Sequence, residues 1–266
     1  MIRHLRTILA AMLLWIASGA ETKAQSTRVY VGLGAMYHSF QDARFSDLQI
    51  TSFSPDLELG FRYVTDRSYV LAHADGFLFI TPQPNAVEST ISSMGFNVRA
   101  GYLYGITPGL FLGGTWDLLD FTTRTTEGLH NNENFYLNSS DLFLSVKYIY
   151  SAGKNWSFEF GGDLGLVSFM KYAPSFTANL DQKVIDDGEA SYQDKNIRNP
   201  WSLSYISTKP IGQQFTLRTH VEAFFRRRLS AAYVWKLRSF ADQKGYPLTM
   251  ADHSLVLRYH FISRPK

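Results

Sequence analysis

The chain has 266 residues, which is long for one compact domain but within the range of large single-domain β-barrels. Hydrophobic residues make up 45% of the chain and charged residues only 18%, which excludes a disordered chain and a charged coiled coil. The absence of Cys excludes a disulfide framework, a thiolate metal site, a cysteine nucleophile and lipid attachment through a lipoprotein cysteine.

The N-terminal segment has the layout of a secretory signal peptide. Basic residues precede an apolar run over 9–17, and small residues follow up to Ala24. An uncleaved membrane anchor is the competing interpretation, but the run has about half of the ~20 apolar residues that a spanning helix needs. We therefore expect residues 1–24 to be a cleaved signal peptide and residues 25–266 to form the folded domain. Without residues 1–24 the net charge of +3 falls to +1, which gives no indication of nucleic-acid binding.

Beyond the signal peptide, apolar residues recur with a period of two, which is typical of β-strands with two different faces. In the first segment Val29, Val31 and Leu33 share one face, with Tyr30 and Gly32 on the other. The same alternation recurs along the chain, more weakly in the third, fifth and eighth segments. The predicted strands are 28–40, 56–63, 69–80, 95–104, 110–123, 141–150, 156–164, 200–208, 215–226 and 254–261.

The connections between these strands alternate in length. The short ones are 64–68, 105–109, 151–155 and 209–214. The longer ones are 41–53, 82–92, 126–134, 173–198 and 227–252. This alternation is typical of outer-membrane barrels, in which short turns face the periplasm and long loops face outside. Residues 25–266 are therefore predicted to form an outer-membrane β-barrel domain. The predicted fold is all-β, an antiparallel transmembrane β-barrel of about ten strands with both termini on one side.

Aromatic residues support the membrane assignment, because a barrel in lipid carries Tyr and Trp belts at the headgroup level. Those at strand ends beside the predicted periplasmic turns are Tyr63, Tyr69, Tyr102, Tyr104, Tyr148, Tyr150 and Trp156. Near the loop ends lie Tyr37, Tyr172 and Trp201. The alternative is a soluble β-sandwich or lipocalin-like barrel with its apolar face inward. That alternative does not explain the many charges in the middle of strands on the polar face.

The ends of the predicted domain carry a family resemblance. Ala24-Gln25 is followed by the Gly-rich first strand 30–34, and the closing segment is 257–261, Leu-Arg-Tyr-His-Phe. With the alternating body between them, these features resemble Bacteroidota outer-membrane β-barrel proteins, over the whole chain after residue 24. The resemblance concerns a membrane class and no single activity. It implies a monomer among outer-membrane lipids of a Gram-negative bacterium, with a terminal aromatic strand that the barrel assembly machinery recognises, although five residues follow Phe261 here.

If the apolar face meets lipid, the polar face lines the barrel interior. Its predicted members, called the interior charge network below, are Glu58, Arg62, His73, Asp75, Arg99, Asp117, Lys147, Glu159, Asp163, Arg218, His220, Glu222 and Arg258. Burying unpaired charge is costly, so these groups should pair across strands or stay hydrated. A barrel of this size is just wide enough for side chains to fill, whereas open porins use ~16 strands. We therefore predict a plugged interior in which glycines leave room for long side chains.

The Ser and His residues lack the spacing of outer-membrane lipid hydrolases. In phospholipases and lipid A deacylases of that class, a His two residues before a Ser activates it from the same strand face. Here His38 and Ser39 are adjacent, as are His253 and Ser254, so each pair would point to opposite faces. We therefore predict no catalytic residues of that type.

An enzyme of another design would have to use a polar cluster of His73, Asp75 and His220. A metal site built from these two histidines with His38 and His260 is weak, because the four lie on different strands without ligand spacing. The acidic run 186–189 lacks the alternating oxygen ligands of a calcium loop. We predict no metal and no cofactor.

The triplet Arg226, Arg227 and Arg228 begins the last predicted external loop, which also holds Lys236 and Arg238. The preceding external loop is acidic over 181–198. One hypothesis is that the two loops pair and cap the barrel, each exposed pair contributing under ~1 kcal/mol. The other is that the arginines bind lipopolysaccharide phosphates through bidentate contacts.

Together these patterns predict an outer-membrane barrel with a largely plugged interior, whose binding or structural role is carried by extracellular loops. A narrow transport channel and a lipid-modifying hydrolase are the alternatives.

Overall fold

The computed structural model describes residues 26–42, 49–82, 90–127, 133–152, 155–172, 201–203, 206–225, 228–241 and 247–263. These residues form eleven β-strands: β1 (Ser26–Asp42), β2 (Ile50–Val64), β3 (Ser68–Pro82), β4 (Thr90–Thr107), β5 (Leu110–Glu127), β6 (Glu133–Ala152), β7 (Trp156–Tyr172), β8 (Ser207–Pro210), β9 (Gln214–Phe225), β10 (Leu229–Ala241) and β11 (Pro247–Ser263). None of the described residues belongs to a helix with the length and hydropathy of a membrane span. The predicted signal peptide and the acidic segment 181–198 lie outside the described residues.

The strands close into an antiparallel barrel. β1 pairs with β2 on one side and with β11 on the other, and β6 pairs with β7, so the sheet has a continuous ring of neighbours. β8 and β9 both pair with β7 and occupy one position in the wall. The predicted all-β fold of ten strand positions is confirmed.

The position shared by β8 and β9 contains an interruption at residues 211–213. The N–H of Gln213 donates to the carbonyl of Pro210 at 3.0 Å, and Gly212 has a φ of 97°, in the left-handed region that favours glycine. Both strands run in the same direction along β7, with four extra residues between their registers. The predicted periplasmic turn at 209–214 is therefore wrong, and the predicted strand 200–208 is described as a strand only from Ser207.

The two ends of the barrel have connections of different length. At one end, called the turn end, the chain passes between strands at 65–67, 108–109, 153–155 and 226–228. At the other, called the loop end, it does so at 43–49, 83–89, 128–132, 173–206 and 242–246. β1 begins and β11 ends at the turn end, as the even strand count predicts.

The last predicted loop contains a strand. Residues 229–241 form β10, which pairs along its length with β9 and β11. Lys236 and Arg238, assigned by the sequence to an external loop, therefore lie in the wall, and the Arg238 side chain is only 2% exposed. The prediction of a long basic loop over 227–252 is wrong because alternation continues through these charged positions.

Arg228, the described member of the arginine triplet, consequently lies at the turn end. Arg226 and Arg227 lie outside the described residues, whereas Arg228 is exposed in the turn, where its carbonyl accepts the N–H of His260 at 2.7 Å. The acidic segment 181–198 belongs to a connection at the opposite end of the barrel. The predicted long external loop that these arginines would begin is therefore wrong, because β10 follows Arg228 directly. The contacts predicted for the triplet, with the acidic loop or with lipopolysaccharide, stay predictions.

Outward side chains are apolar and inward side chains are largely polar. On β2, Leu57 and Leu59 are 62% and 56% exposed, whereas Glu58 between them is 7% exposed. A soluble barrel would show the reverse arrangement. The outer surface therefore has the alternation of a barrel that meets lipid.

Most aromatic residues predicted at the turn end face outward. The exposed ones are Tyr102, Tyr104, Tyr148, Tyr150 and Trp156. Tyr69 is the exception and its assignment to the belt is wrong: it points inward with 1% exposure, and its hydroxyl donates to Glu159 Oε1 at 2.8 Å. At the loop end Trp201 is exposed, whereas Tyr172 packs against Phe240 with ring centroids 5.7 Å apart.

Two apolar clusters lie inside the barrel, one towards each end. The loop-end cluster consists of Phe40, Phe135, Leu137, Met170, Phe240, Leu248 and Met250. The turn-end cluster consists of Tyr69, Leu71, Leu103 and Phe111. Polar and charged side chains fill much of the space between them.

Candidate functional site in the barrel interior

All thirteen residues of the predicted interior charge network lie inside the barrel. Most of them are nearly inaccessible, while His73 and Asp75 have side-chain exposures of 13% and 21%. The strand alternation places them there, because each occupies an inward position between outward apolar residues.

Arg62 joins opposite sides of the barrel. From β2 it donates through Nη1 to Glu159 on β7 at 3.1 Å and through Nη2 to Glu222 on β9 at 2.8 Å. Arg258 on β11 donates to the same Glu222 at 2.7 Å and to Glu58 on β2 at 3.0 Å. These groups form one connected set of ion pairs across the interior.

A second set is centred on Asp117. Arg99 on β4 donates to this carboxylate at 2.8 Å, and Arg218 on β9 donates to it at 2.8 Å from across the barrel. Asp163 on β7 lies 3.5 Å from Arg99 and 3.9 Å from Arg218. Each carboxylate thus faces two guanidinium groups, which offsets the cost of taking the charges out of water.

His220 lies between Lys147 and Glu159 and contacts both. Lys147 Nζ lies 2.9 Å from His220 Nδ1, and His220 Nε2 lies 2.9 Å from Glu159 Oε1. The ring fits because Gly161 has no side chain: a Cβ there would lie 2.1 Å from His220 Cε1. The glycine makes room for a long neighbour, as the sequence predicts.

Further members of the interior were not predicted from the sequence. Arg238 on β10 donates to Asp120 at 2.8 Å and also contacts Asp141, while Lys236 contacts Asp120. The two bases were missed because β10 was interpreted as a loop. The alternation of outward Leu229, Ala231 and Tyr233 with inward residues was the available signal.

Three carboxylates lie close enough together to resemble a cation site. One oxygen each from Asp117, Asp120 and Asp141 lies within 4.8 Å of the others. Arg218 and Arg238 already contact these groups, so side chains neutralise them. The arrangement is that of an ion-pair network.

The structure separates the polar cluster considered for catalysis. His73 Nε2 lies 3.0 Å from Asp75 Oδ1, and the hydroxyl of Tyr30 lies 2.8 Å from His73 Nδ1. His220 instead contacts Lys147 and Glu159. The histidines considered as metal ligands likewise have different partners, with His38 on Asp252 and His260 on Ser230.

Ser230, His260 and Glu222 form a group that sequence spacing could not reveal. Ser230 Oγ lies 2.7 Å from His260 Nε2, and Glu222 Oε1 lies 3.4 Å from the same nitrogen. Among the described residues, His260 Nδ1 has no hydrogen-bond partner. In a nucleophile–histidine–acid arrangement the acid must bind the nitrogen opposite the nucleophile. This group therefore lacks the geometry of a hydrolase triad.

Comparisons with known proteins show the fold class. No protein-family model matches the chain, and no curated protein matches it. The translocator domain of autotransporter NalP from Neisseria meningitidis matches 98% of this chain and 96% of its own, with 8% identity and a TM-score of 0.50. Ail, the attachment invasion locus protein of Yersinia pestis, matches 89% and 100%, with 7% identity and a TM-score of 0.42. Neisserial surface protein A matches 88% and 97%, with 9% identity and a TM-score of 0.37. The fold neighbours are bacterial outer-membrane barrels.

Proposed function

We propose that this protein is an integral β-barrel of a Gram-negative outer membrane, of the Bacteroidota type, with a non-conducting interior and a binding or structural role at its loop end. The apolar outer surface, the aromatic side chains near the strand ends and the charged interior support a membrane location. The alternation of short and long connections supports an orientation with the turn end in the periplasm.

The ion pairs of Arg62 carry the proposal of a non-conducting interior. This side chain reaches from β2 to β7 and β9, so charged groups extend across the barrel cross-section. The loop-end apolar cluster lies between these ion pairs and the long connections. An open channel would need a continuous hydrated path, which a ten-position barrel filled in this way does not provide.

Planar-bilayer recording of the purified full chain tests this function, with an open porin as positive control. We expect insertion without a steady current. Stable unitary conductance steps would contradict the proposal and favour the narrow transport channel.

The absence of Cys from the chain gives a direct test of orientation. Gln49→Cys introduces a thiol at the loop end, and Asp66→Cys introduces one at the turn end; both positions are exposed. A membrane-impermeant maleimide added to whole cells should label the first variant and spare the second. Labelling of the turn-end variant alone would reverse the proposed orientation.

We further infer that residues 1–24 are removed on export and that the barrel assembly machinery recognises β11. Phe261 near the end of β11 is 53% exposed, so it is available on the outer surface before the barrel enters lipid. Phe261→Ala should lower the amount of folded barrel in the outer membrane but leave refolding in micelles unchanged. Equal loss in both settings would indicate a packing role instead.

A further inference from the structure

Three residues near the loop end point outward and are nevertheless buried. Phe121 on β5, Tyr136 on β6 and Lys171 on β7 are between 3% and 8% exposed. Phe121 is paired with Phe96, which is exposed on the outer face, and residues in direct register share a face of the sheet. Asn138 is paired with both Phe121 and Lys171, and Tyr136 lies two positions before Asn138 on the same strand. Another part of the chain therefore covers the outer wall here.

The connection that leads into β8 contacts two of these buried residues. The Trp201 ring stacks on Phe121 with centroids 4.9 Å apart, and its centroid lies 6.3 Å from that of Phe96. Lys171 Nζ donates to the carbonyl of Ser202 at 3.1 Å. This part of the connection therefore lies on the outer side of the wall, against β4, β5 and β7, whereas β8 itself is a strand of the wall. Its described residues, 201–203 and 206, are called the outer strap below.

The large side chains of the outer strap are apolar and exposed. Trp201, Leu203 and Ile206 are 53%, 68% and 44% exposed. The whole segment 201–206, Trp-Ser-Leu-Ser-Tyr-Ile, contains no charged residue. Neighbouring outward residues of the wall, Phe96 on β4 and Phe169 on β7, are also exposed. The strap therefore extends the apolar outer surface of the barrel, and contiguous exposed apolar surface of this kind indicates a binding surface.

The position of the outer strap selects lipid as its partner. It lies on the outer face of the wall, whose alternation is that of a barrel that meets lipid. It also lies near the loop end of the strands, where the headgroup layer borders the apolar band. Trp is enriched at this level because its ring is apolar and its indole N–H is polar. A segment without charge, whose apolar side chains are exposed on this face, is suited to the boundary between headgroups and acyl chains.

We propose that the outer strap is a lipid-contacting element that inserts Trp201, Leu203 and Ile206 into the leaflet at the loop end. The wall aromatics beneath it then contact the strap in place of lipid. The proposal rests on the membrane location proposed above and extends it to a segment that is not part of the barrel wall.

Quenching of tryptophan fluorescence by brominated lipid tests the proposal. Replacing Trp15, Trp116, Trp156 and Trp235 with Phe leaves Trp201 as the single fluorophore of the full chain. The folded variant is placed in phosphatidylcholine vesicles whose acyl chains carry bromine close to the headgroup. We expect its fluorescence to be at least twofold lower than in vesicles without bromine.

A variant that retains Trp116 alone is the matched control, because this outward side chain belongs to the wall and is exposed on β5. Quenching of Trp116 without quenching of Trp201 would place the outer strap in water, accessible to a partner protein, and overturn the proposal. Quenching of neither tryptophan would instead contradict the membrane location on which the proposal rests.

Leu203 tests the insertion directly, since it is the most exposed apolar side chain of the strap. In the chain with Trp201 alone, Leu203→Asp should reduce the quenching at least twofold, because a carboxylate in the apolar layer is unfavourable. Arg67→Asp, in an exposed turn, should leave the quenching unchanged. Unchanged quenching in the Leu203→Asp barrel would show that the contacts with Phe121 and Phe96 alone position Trp201, and would refute insertion of the strap.

Discussion

Arg258 on the last strand and Glu58 on the second form an ion pair that spans β1, with Nη2 and Oε1 3.0 Å apart. Gly32 on β1 is paired with both residues and lies directly between them. A Cβ at this position would lie 3.1 Å from Glu58 Oε2 and 2.8 Å from a methyl group of Val256. The missing side chain therefore allows an ion pair between the second and last strands to pass over β1, where the barrel closes.

Gly32→Ala should destabilise the barrel by about 1–3 kcal/mol, because the added methyl group overpacks this site. Gly114→Ala is the matched control, since a Cβ there meets nothing closer than 3.5 Å on the exposed face. Urea unfolding in micelles, followed by tryptophan fluorescence, measures both. Equal stability of the two variants would show that the closure tolerates a side chain at position 32.

Leu257→Arg should destabilise the folded barrel by about 2–4 kcal/mol in lipid vesicles if the site lies near the bilayer midplane. Leu257 is 69% exposed on the outer face of β11, and Leu59, Val98 and Val146 face outward in the same way. Ile106→Arg, also on an exposed site but at the turn end of β4 beyond Tyr104, should cost much less because the penalty falls towards the membrane surface. If both changes cost the same in vesicles, the assigned lipid face is wrong.

Arg62→Met should cost about 3–5 kcal/mol, because it leaves Glu159 and Glu222 without one of their buried cationic partners. Adding Glu159→Gln should recover part of this loss by removing one uncompensated charge. Arg67→Met, in an exposed turn, should change stability by no more than about 0.5 kcal/mol. Equilibrium unfolding of the wild type, Arg62→Met, Glu159→Gln, the double variant and Arg67→Met tests the prediction, and strict additivity of Arg62→Met and Glu159→Gln would argue against direct coupling.

Tyr69→Phe should cost about 1–3 kcal/mol, because the buried carboxylate of Glu159 loses a hydroxyl donor. Tyr102→Phe removes the same atom from an outward tyrosine whose hydroxyl, among the described residues, contacts Ser68 at 3.3 Å on the exposed face. The stability of the barrel should therefore hardly change in this variant. Thermal unfolding of both variants gives the comparison. A larger effect at position 102 would show that the hydrogen bond from Tyr69 to Glu159 contributes little to stability.

The strand alternation predicts most of this fold because the lipid and the interior impose opposite chemistry on successive residues. The pattern was weakest in β3, where outward Ala72, Ala74 and Gly76 are small and the inward face contains Tyr69. Tyr69 points inward because of its position in the alternation of inward and outward residues along β3, and its aromatic character has no influence on this. A belt assigned from residue type alone therefore places it wrongly.

The error at β10 has a different physical origin. Lys236 and Arg238 follow the arginine triplet closely, and a basic stretch is usually a solvated surface segment. Here their charges are balanced by Asp120 and Asp141 on β5 and β6, strands more than ninety residues earlier. Ion-pair partners at that separation cannot be recognised from a short stretch of sequence.

The interruption at 211–213 divides this position in the wall into two parts with different numbers of hydrogen-bonded neighbouring strands. On the turn-end side of the interruption, β9 pairs with a strand on each side. On the loop-end side, among the described residues, β8 pairs with β7 alone, over four residues. Lys209 Nζ on β8 donates to the carbonyl of Ala241 at 2.8 Å. Amide hydrogen exchange should therefore be fastest along β8 and slowest along β9, although both occupy the same position in the barrel. Local opening of the barrel wall should therefore begin at β8, near the loop end, and leave the ion pairs of the interior intact.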